Sequence, residues 1–220
     1  MLALPNDTAA TVFGTNKGSS VFGTLNATWR YSRKIALPWK TLLLPASLAA
    51  FVFAFIGAAV VTWLPKETVR PLVLVLLIAV WLCTVLQPDF GKTPGRMTSR
   101  PLLAALMIGS VIGFYDGFFG PGTGSFLIFA FVRFFGLDFL AASASAKVVN
   151  ATTNIAALAY FIPHGQIIWP IVAVMAVGNV AGAGIGSRLA LKHGSGFVRG
   201  VFLLVVTVLI CRLSFDTLSR

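Results

Sequence analysis

Long uncharged apolar runs alternate along this chain with short basic segments, and the runs are sized for a bilayer. Residues 41–65 and 71–88 carry no charge, and about 20 apolar residues suffice for a helix to cross the hydrocarbon core. A third run starts at Pro101 and continues to Tyr115 before meeting Asp116; glycines and Pro121 then interrupt the pattern, and a shorter apolar stretch covers 125–135. Residues 148–187 are again uncharged, long enough for two passes, with Pro163-His164-Gly165 as the natural turn between them. A last span is expected over about 197–215, with Arg199 and Arg212 near enough to its ends to snorkel.

The segment 8–31 is more polar, and hydropathy alone would leave it out of the membrane. An internal repeat changes that reading. With Lys17 placed over Lys147, Thr15 falls on Ser145, Leu25 on Ile155, Tyr31 on Phe161 and Trp39 on Trp169; with one residue less in the offset, Val69-Arg70 lies over Val198-Arg199. A polar stripe repeats too, because Lys17, Ser20 and Thr24 occupy the same steps as Lys147, Asn150 and Asn154, and those steps share one helix face. The chain therefore reads as a first repeat over 1–87, a linker at 88–100 and a second repeat over 101–220. The second repeat opens with a broken helical pair at 101–136 and holds an odd number of segments, which inverts it relative to the first. Inverted repeats are a recurring construction of secondary transporters, with the substrate site at their interface near the midplane. Leu2-Ala-Leu-Pro5 reads as the end of a pair equivalent to 101–136, so the first repeat is expected to be N-terminally incomplete.

Composition agrees with an all-α polytopic membrane protein. The 220 residues are 57% hydrophobic and only 10% charged, with a mean hydropathy of +0.90. Those values exclude an ordinary soluble domain and a disordered chain. The net charge of +11 comes from 17 Lys and Arg against 6 acids. These cations lie between spans and not along one amphipathic face, so a lipid bilayer is the expected partner and nucleic acid is not. If 125–135 crosses, Arg30, Arg33, Lys34, Lys40, Lys92, Arg96, Arg100, Arg133, Arg188, Lys192 and Arg199 fall on one side, against Lys66, Arg70, Arg212 and Arg220 on the other. The positive-inside rule then makes 88–100 cytoplasmic. The N-terminus shows neither a basic region nor a cleavage site. Cys83 and Cys211 sit inside apolar runs and read as small core hydrophobes without a disulfide.

Polar groups inside spans are costly and call for a reason. Asp116 is the only acid well inside an apolar segment, within Gly113-Phe-Tyr-Asp-Gly-Phe-Phe-Gly-Pro-Gly-Thr-Gly124, where the glycines and proline are expected to break regular helix. Freed amides there, with those opening the next helix, form a candidate anion cradle. The candidate substrate-binding residues are thus Tyr115, Asp116, Gly120, Gly122, Thr123 and Gly124, together with Lys147, Asn150, Asn154, Asn16 and Lys17. The two lysines would attract an oxyanion, Ser20, Thr24, Thr153 and the asparagines would donate to it, and Asp116 would balance charge or carry a proton. Alternatively Asp116 caps a helix or pairs with Lys147, and the lysines, each about one turn from a helix end, snorkel to an interface. His164 and His193 read as loop residues too far apart for a metal site, and no metal or cofactor is expected. Gly182-Ala-Gly-Ile-Gly186 has no preceding strand and reads as a small-residue helix contact rather than half a dinucleotide fingerprint. No nucleophile–base pair, carboxylate pair or phosphate loop suggests an enzyme.

The stretch 113–125, the stretch Ala146-Lys-Val-Val-Asn-Ala-Thr-Thr-Asn-Ile155 and Gly14-Thr-Asn-Lys17 together resemble the TauE/SafE sulfite exporter family, in its YfcA-like branch. The resemblance implies a multi-pass permease of the bacterial inner membrane, built from inverted repeats, that moves sulfite, sulfonates or related small organic anions. It also implies an opening helix pair with a glycine-rich motif equivalent to 113–124. The alternative expectation is a non-transporting partner subunit or degenerate copy, working with a fuller homologue or as a homo-oligomer.

Overall fold

Each apolar run is a helix in the computed structural model, which describes residues 9–62, 69–86, 91 and 94–218. The helices are α1 Ala9–Ser32, α2 Leu44–Val60, α3 Val69–Leu86, α4 Pro101–Phe118, α5 Thr123–Phe135, α6 Phe139–Phe161 and α7 Trp169–Leu218. Trp39–Val60, Pro101–Phe118 and Trp169–Arg212 are long and apolar enough to cross a membrane, and the described residues contain no strand. The fold is that of an all-α membrane protein. Leu2–Pro5, the end of the 41–65 run, Lys66 and most of 87–93 lie outside the described residues.

Two boundaries differ from the sequence reading. α6 begins at Phe139, where the Asp138 carboxylate accepts from the Ala141 amide at 2.8 Å, so Lys147 lies two turns inside the helix and not near its end. The serines of its first turns, Ser143 and Ser145, are buried inside the bundle and not turned to lipid, which is why the hydropathy pattern misses them. The last two expected spans are arms of one bent helix, α7, joined at Gly194 with φ 71° and ψ −165°. Only glycine adopts that conformation readily. His193 ends the first arm, its Nδ1 3.0 Å from the Leu189 carbonyl, and is not in a loop.

Packing of α2 on α4 rests on small residues at every fourth position. A Cβ added to Gly109, Gly113 or Gly117 would lie 2.3 Å from the Ala46 oxygen, 2.6 Å from the Ala50 Cα or 2.0 Å from the Ala54 oxygen. These pairs advance together along both chains, so the helices run parallel with backbone against backbone. Close approach of this kind is what small-residue interfaces permit inside a bilayer. It also explains why α4 stays helical through Gly113, Asp116 and Gly117; the expected break is confined to 119–122, with Gly120 and Gly122 at φ 88° and 85°. Ahead of α2, a π-helical turn at Trp39–Leu43 lets the Pro38 carbonyl accept from both Leu42 and Leu43, accommodating Pro45, which has no amide to give.

The linker fixes the direction of the broken pair. Gly95 donates to the Gly136 carbonyl at 2.7 Å, Thr98 to Phe134 at 2.8 Å, and Phe139 to Gly91 at 2.8 Å. Thus α4 enters from the same end to which α5 returns. α5 has 13 residues, about 20 Å of helix, against about 30 Å of hydrocarbon. The 119–122 tip accordingly sits within the membrane depth, where irregular backbone is tolerated because protein surrounds it. The turn after α1, the linker, the α5–α6 turn and the α7 bend all gather at this basic end; the Ser195 hydroxyl, for instance, meets the Leu140 amide at 3.3 Å.

Helices α1 and α6 cross antiparallel: Gly14 abuts Phe161, Gly18 approaches Leu158, and Asn154 donates to Thr24 at 3.3 Å. Thr24 and Asn154 are the residues that the repeat places on each other. The other end-to-end equivalents also meet, since Trp81 of α3 donates to Thr207 at 2.8 Å and Arg199 of α7 to the Thr84 carbonyl at 2.7 Å. Cys83 and Cys211 are free, but both are exposed on outer helix faces and are not core residues.

Gly117→Val is expected to cost at least about 3 kcal/mol, because its side chain must displace the α2 backbone. Gly182→Ala, where a Cβ meets nothing within 4 Å, should shift stability by less than about 0.5 kcal/mol. Unfolding temperatures of the two variants in detergent check the contrast.

Candidate functional site

Asp116 occupies the last turns of α4, just before the broken tip, and is buried with 1% of its surface exposed. Its Oδ1 meets the Lys17 ammonium at 2.7 Å, both side chains being almost fully enclosed. The Thr123 hydroxyl, at the start of α5, lies 2.7 Å from Oδ1 and equally close to the Gly120 carbonyl. From α6, Asn150 donates to Oδ2 at 3.4 Å, and the Thr153 hydroxyl donates to the same oxygen. One carboxylate thus gathers α1, α4, α5 and α6 roughly 20 Å from the basic end, reckoned from the rise along α1 and α6. Gly120 stands against this pair, since a Cβ there would lie 3.4 Å from both Asp116 Oδ1 and Lys17 Nζ.

The partner of Asp116 is therefore Lys17 and not Lys147. The reason is topological: α1 crosses α6 so that Lys17 faces the broken tip, whereas Lys147 points away from it. The tip is also less open as an anion cradle than its sequence suggests. The amides of Phe119 and Gly120 donate to Tyr115, that of Thr123 to Gly120, and those of Ser125 and Phe126 to Gly122. Tyr115 donates its hydroxyl to the Pro121 carbonyl. Tyr115, Gly120, Gly122 and Thr123 build and brace the turn that holds Asp116. A Cβ on Gly124 would meet nothing within 4 Å, and Asn16 is exposed while Lys17 beside it is buried.

Lys147 instead lines a cavity of about 550 Å³ between α1, α6 and α7. Ser20, Thr24, Ser143, Asn150, Asn179 and Ser187 supply polar groups to its wall, and Lys147 is the single charged residue there. No ion pair or hydrogen bond to the Lys147 ammonium is formed among the described residues. Asn150 belongs to both places, touching Asp116 on one side and lining the cavity on the other. Asn154 is occupied with Thr24 at the helix crossing. Tyr31, hydrogen-bonded to Ser143, borders the same cavity. The sequence reading overlooked Tyr31, Ser143, Asn179 and Ser187 as wall residues; Asn179 carried a signal, being an amide inside an otherwise apolar run. His164 stacks on Tyr160 with centroids 4.3 Å apart and lies outside the site. Of the small residues in 182–186, a Cβ on Gly184 would meet Arg30 and Asn26, while one on Gly182 or Gly186 would meet nothing within 4 Å, and both of these line the cavity.

Apolar spanning helices, a broken tip held at membrane depth and a lone cation lining a cavity between helices are features of a membrane transporter. The chain belongs to the sulfite exporter TauE/SafE family, which it matches over residues 1–213. It is similar to the probable membrane transporter protein YfcA of Escherichia coli K12, with 35% identity over 208 residues, covering 94% of this chain and 77% of that protein. A probable membrane transporter protein from Sinorhizobium, ORF9, is 34% identical over 203 residues, covering 92% of this chain and 77% of its own length. One from Haemophilus influenzae is 30% identical over 211 residues, 94% of this chain and 81% of its own. No solved structure matches the chain.

Asp116→Asn leaves the Lys17 ammonium buried without its counter-charge and is expected to destabilise the protein by about 3–5 kcal/mol. Adding Lys17→Met should recover most of that loss. A double-mutant cycle of denaturant unfolding in detergent reads the coupling.

Proposed function

We propose that the chain passes a small oxyanion, of the sulfite or sulfonate class, across the bacterial inner membrane between inverted halves. The observation that carries this reading is the contrast between two lysines placed alike by the repeat. Lys17 is neutralised by Asp116, whereas Lys147 lines a cavity whose wall holds hydroxyls and amides but no acid. A half-buried ammonium without a counter-ion attracts whatever small anion fits, and charge-assisted bonds to its oxygens are the strong ones. Asn150 orients the anion and, through Asp116, links the cavity to the broken tip. Asp116 balances the second cation, and a proton delivered to it would release Lys17. The name of the family supports sulfite as the first substrate to try. Helical spans of this kind suit an inner membrane, and the clustered cations would place the basic end in the cytoplasm.

In proteoliposomes, Lys147→Ala is expected to lower sulfite flux roughly 10- to 100-fold, the loss of one bond to a charged group. Lys147→Arg should retain flux. Equal flux from the alanine variant, correctly inserted, overturns the role of Lys147.

A further inference from the structure

The basic end carries a second concave site beside the Lys147 cavity. Arg30, Arg33 and Lys34, from the end of α1 and the turn after it, face Arg188 of α7 across a groove of about 530 Å³. An adjoining hollow of similar size shares Lys34, Arg188 and Leu191 with it and adds Lys192. Five cations therefore line one continuous groove, and no acid contributes to either wall. Two of the cations are held in place: Arg30 Nε donates to Asn26 Oδ1 at 3.1 Å, and the Arg33 guanidinium lies 5.0 Å above the Trp29 ring. A cluster of like charges repels itself unless an anion sits among it.

Apart from Ser187, the remaining walls are apolar. Trp29, Ile35, Leu140 and Leu191 complete the groove, and Trp29 is 55% exposed, the placement of an indole at a membrane–water interface. A phosphate between guanidinium forks with hydrocarbon beside it is the chemistry of an anionic phospholipid; basic pockets between helices on the cytoplasmic side take such headgroups. We infer that this groove binds the headgroup of an anionic phospholipid such as phosphatidylglycerol, with Arg33 and Arg188 gripping the phosphate and Trp29 lying along the acyl region. Ser187 borders both this groove and the Lys147 cavity, so the lipid sits at the mouth of the transport path. The groove is read from its own residues and does not rest on the choice of substrate.

The test uses the full chain in nanodiscs of phosphatidylcholine containing a minor fraction of phosphatidylglycerol with brominated acyl chains. The readout is quenching of Trp29, isolated by subtracting the Trp29→Phe protein, alongside native mass spectrometry of retained lipid. Arg33→Gln/Arg188→Gln is expected to weaken phosphatidylglycerol retention about 30-fold, at roughly one surface-cation contribution each. Arg33→Lys/Arg188→Lys should retain part of it, which separates lost charge from lost fold. Arg96→Gln/Arg100→Gln, removing exposed cations of the linker at the same end, should leave retention unchanged. If the linker variant weakens binding equally, general surface charge accounts for it and the site is refuted. If millimolar sulfite or inorganic phosphate displaces the lipid signal, the groove is a vestibule for free anions, and the lipid assignment is wrong.

Discussion

Everything polar in the interior is organised around the carboxylate of Asp116. Removing a charge from water into a bilayer core costs several kcal/mol, and this one is offset by a full complement of partners: the Lys17 ammonium, the hydroxyls of Thr123 and Thr153 and the Asn150 amide. Because those partners come from α1, α5 and α6, the electrostatic requirement is also a geometric one. The tip between α4 and α5 can stay irregular at membrane depth since the amides of Phe119, Gly120 and Thr123 bond within the turn and its one charge is met from neighbouring helices. Had Asp116 lain one helical step away, it would face α2, where Gly117 already touches backbone.

The same lysine chemistry appears twice in unlike surroundings. Lys17 serves the architecture, and Lys147 is left with an open wall of small and hydroxyl-bearing residues. A cation so placed has an unmet electrostatic demand that a passing anion satisfies only while it is there. This is the property wanted of a carrier site, which must attract its cargo and also let it go.

Much of this was legible from residue patterns. The long apolar runs gave α2, α3, α4 and α7, and the overlay of Lys17 on Lys147 rescued α1, whose polar face points inward and defeats hydropathy. That overlay also brought Thr24 and Asn154 into register, and the two residues touch at the helix crossing. What stayed hidden depends on which faces meet. Spacing puts Lys17 and Lys147 on equivalent footing, and only the crossing of α1 over α6 decides which of them reaches Asp116. The glycines of α4 looked like helix breakers because a glycine signals either freedom or closeness, and the alanine stripe of α2 that selects closeness lies far away in sequence. The cysteines looked internal because, in a bilayer, an apolar neighbourhood marks the outside as readily as the core.

The backbone-on-backbone seam of α2 and α4 has a mechanical consequence. With Gly109, Gly113 and Gly117 seated on Ala46, Ala50 and Ala54, neither helix can slide or rotate against the other without a steric collision at every turn, so the two form one stiff strut. The crossing of α1 on α6 is of another kind, tied by polar side chains: Asn154 to Thr24, Tyr31 to Ser143, and Lys17, Asn150 and Thr153 meeting at Asp116. Here steric exclusion holds α2 against α4, whereas side-chain polar contacts hold α1 against α6.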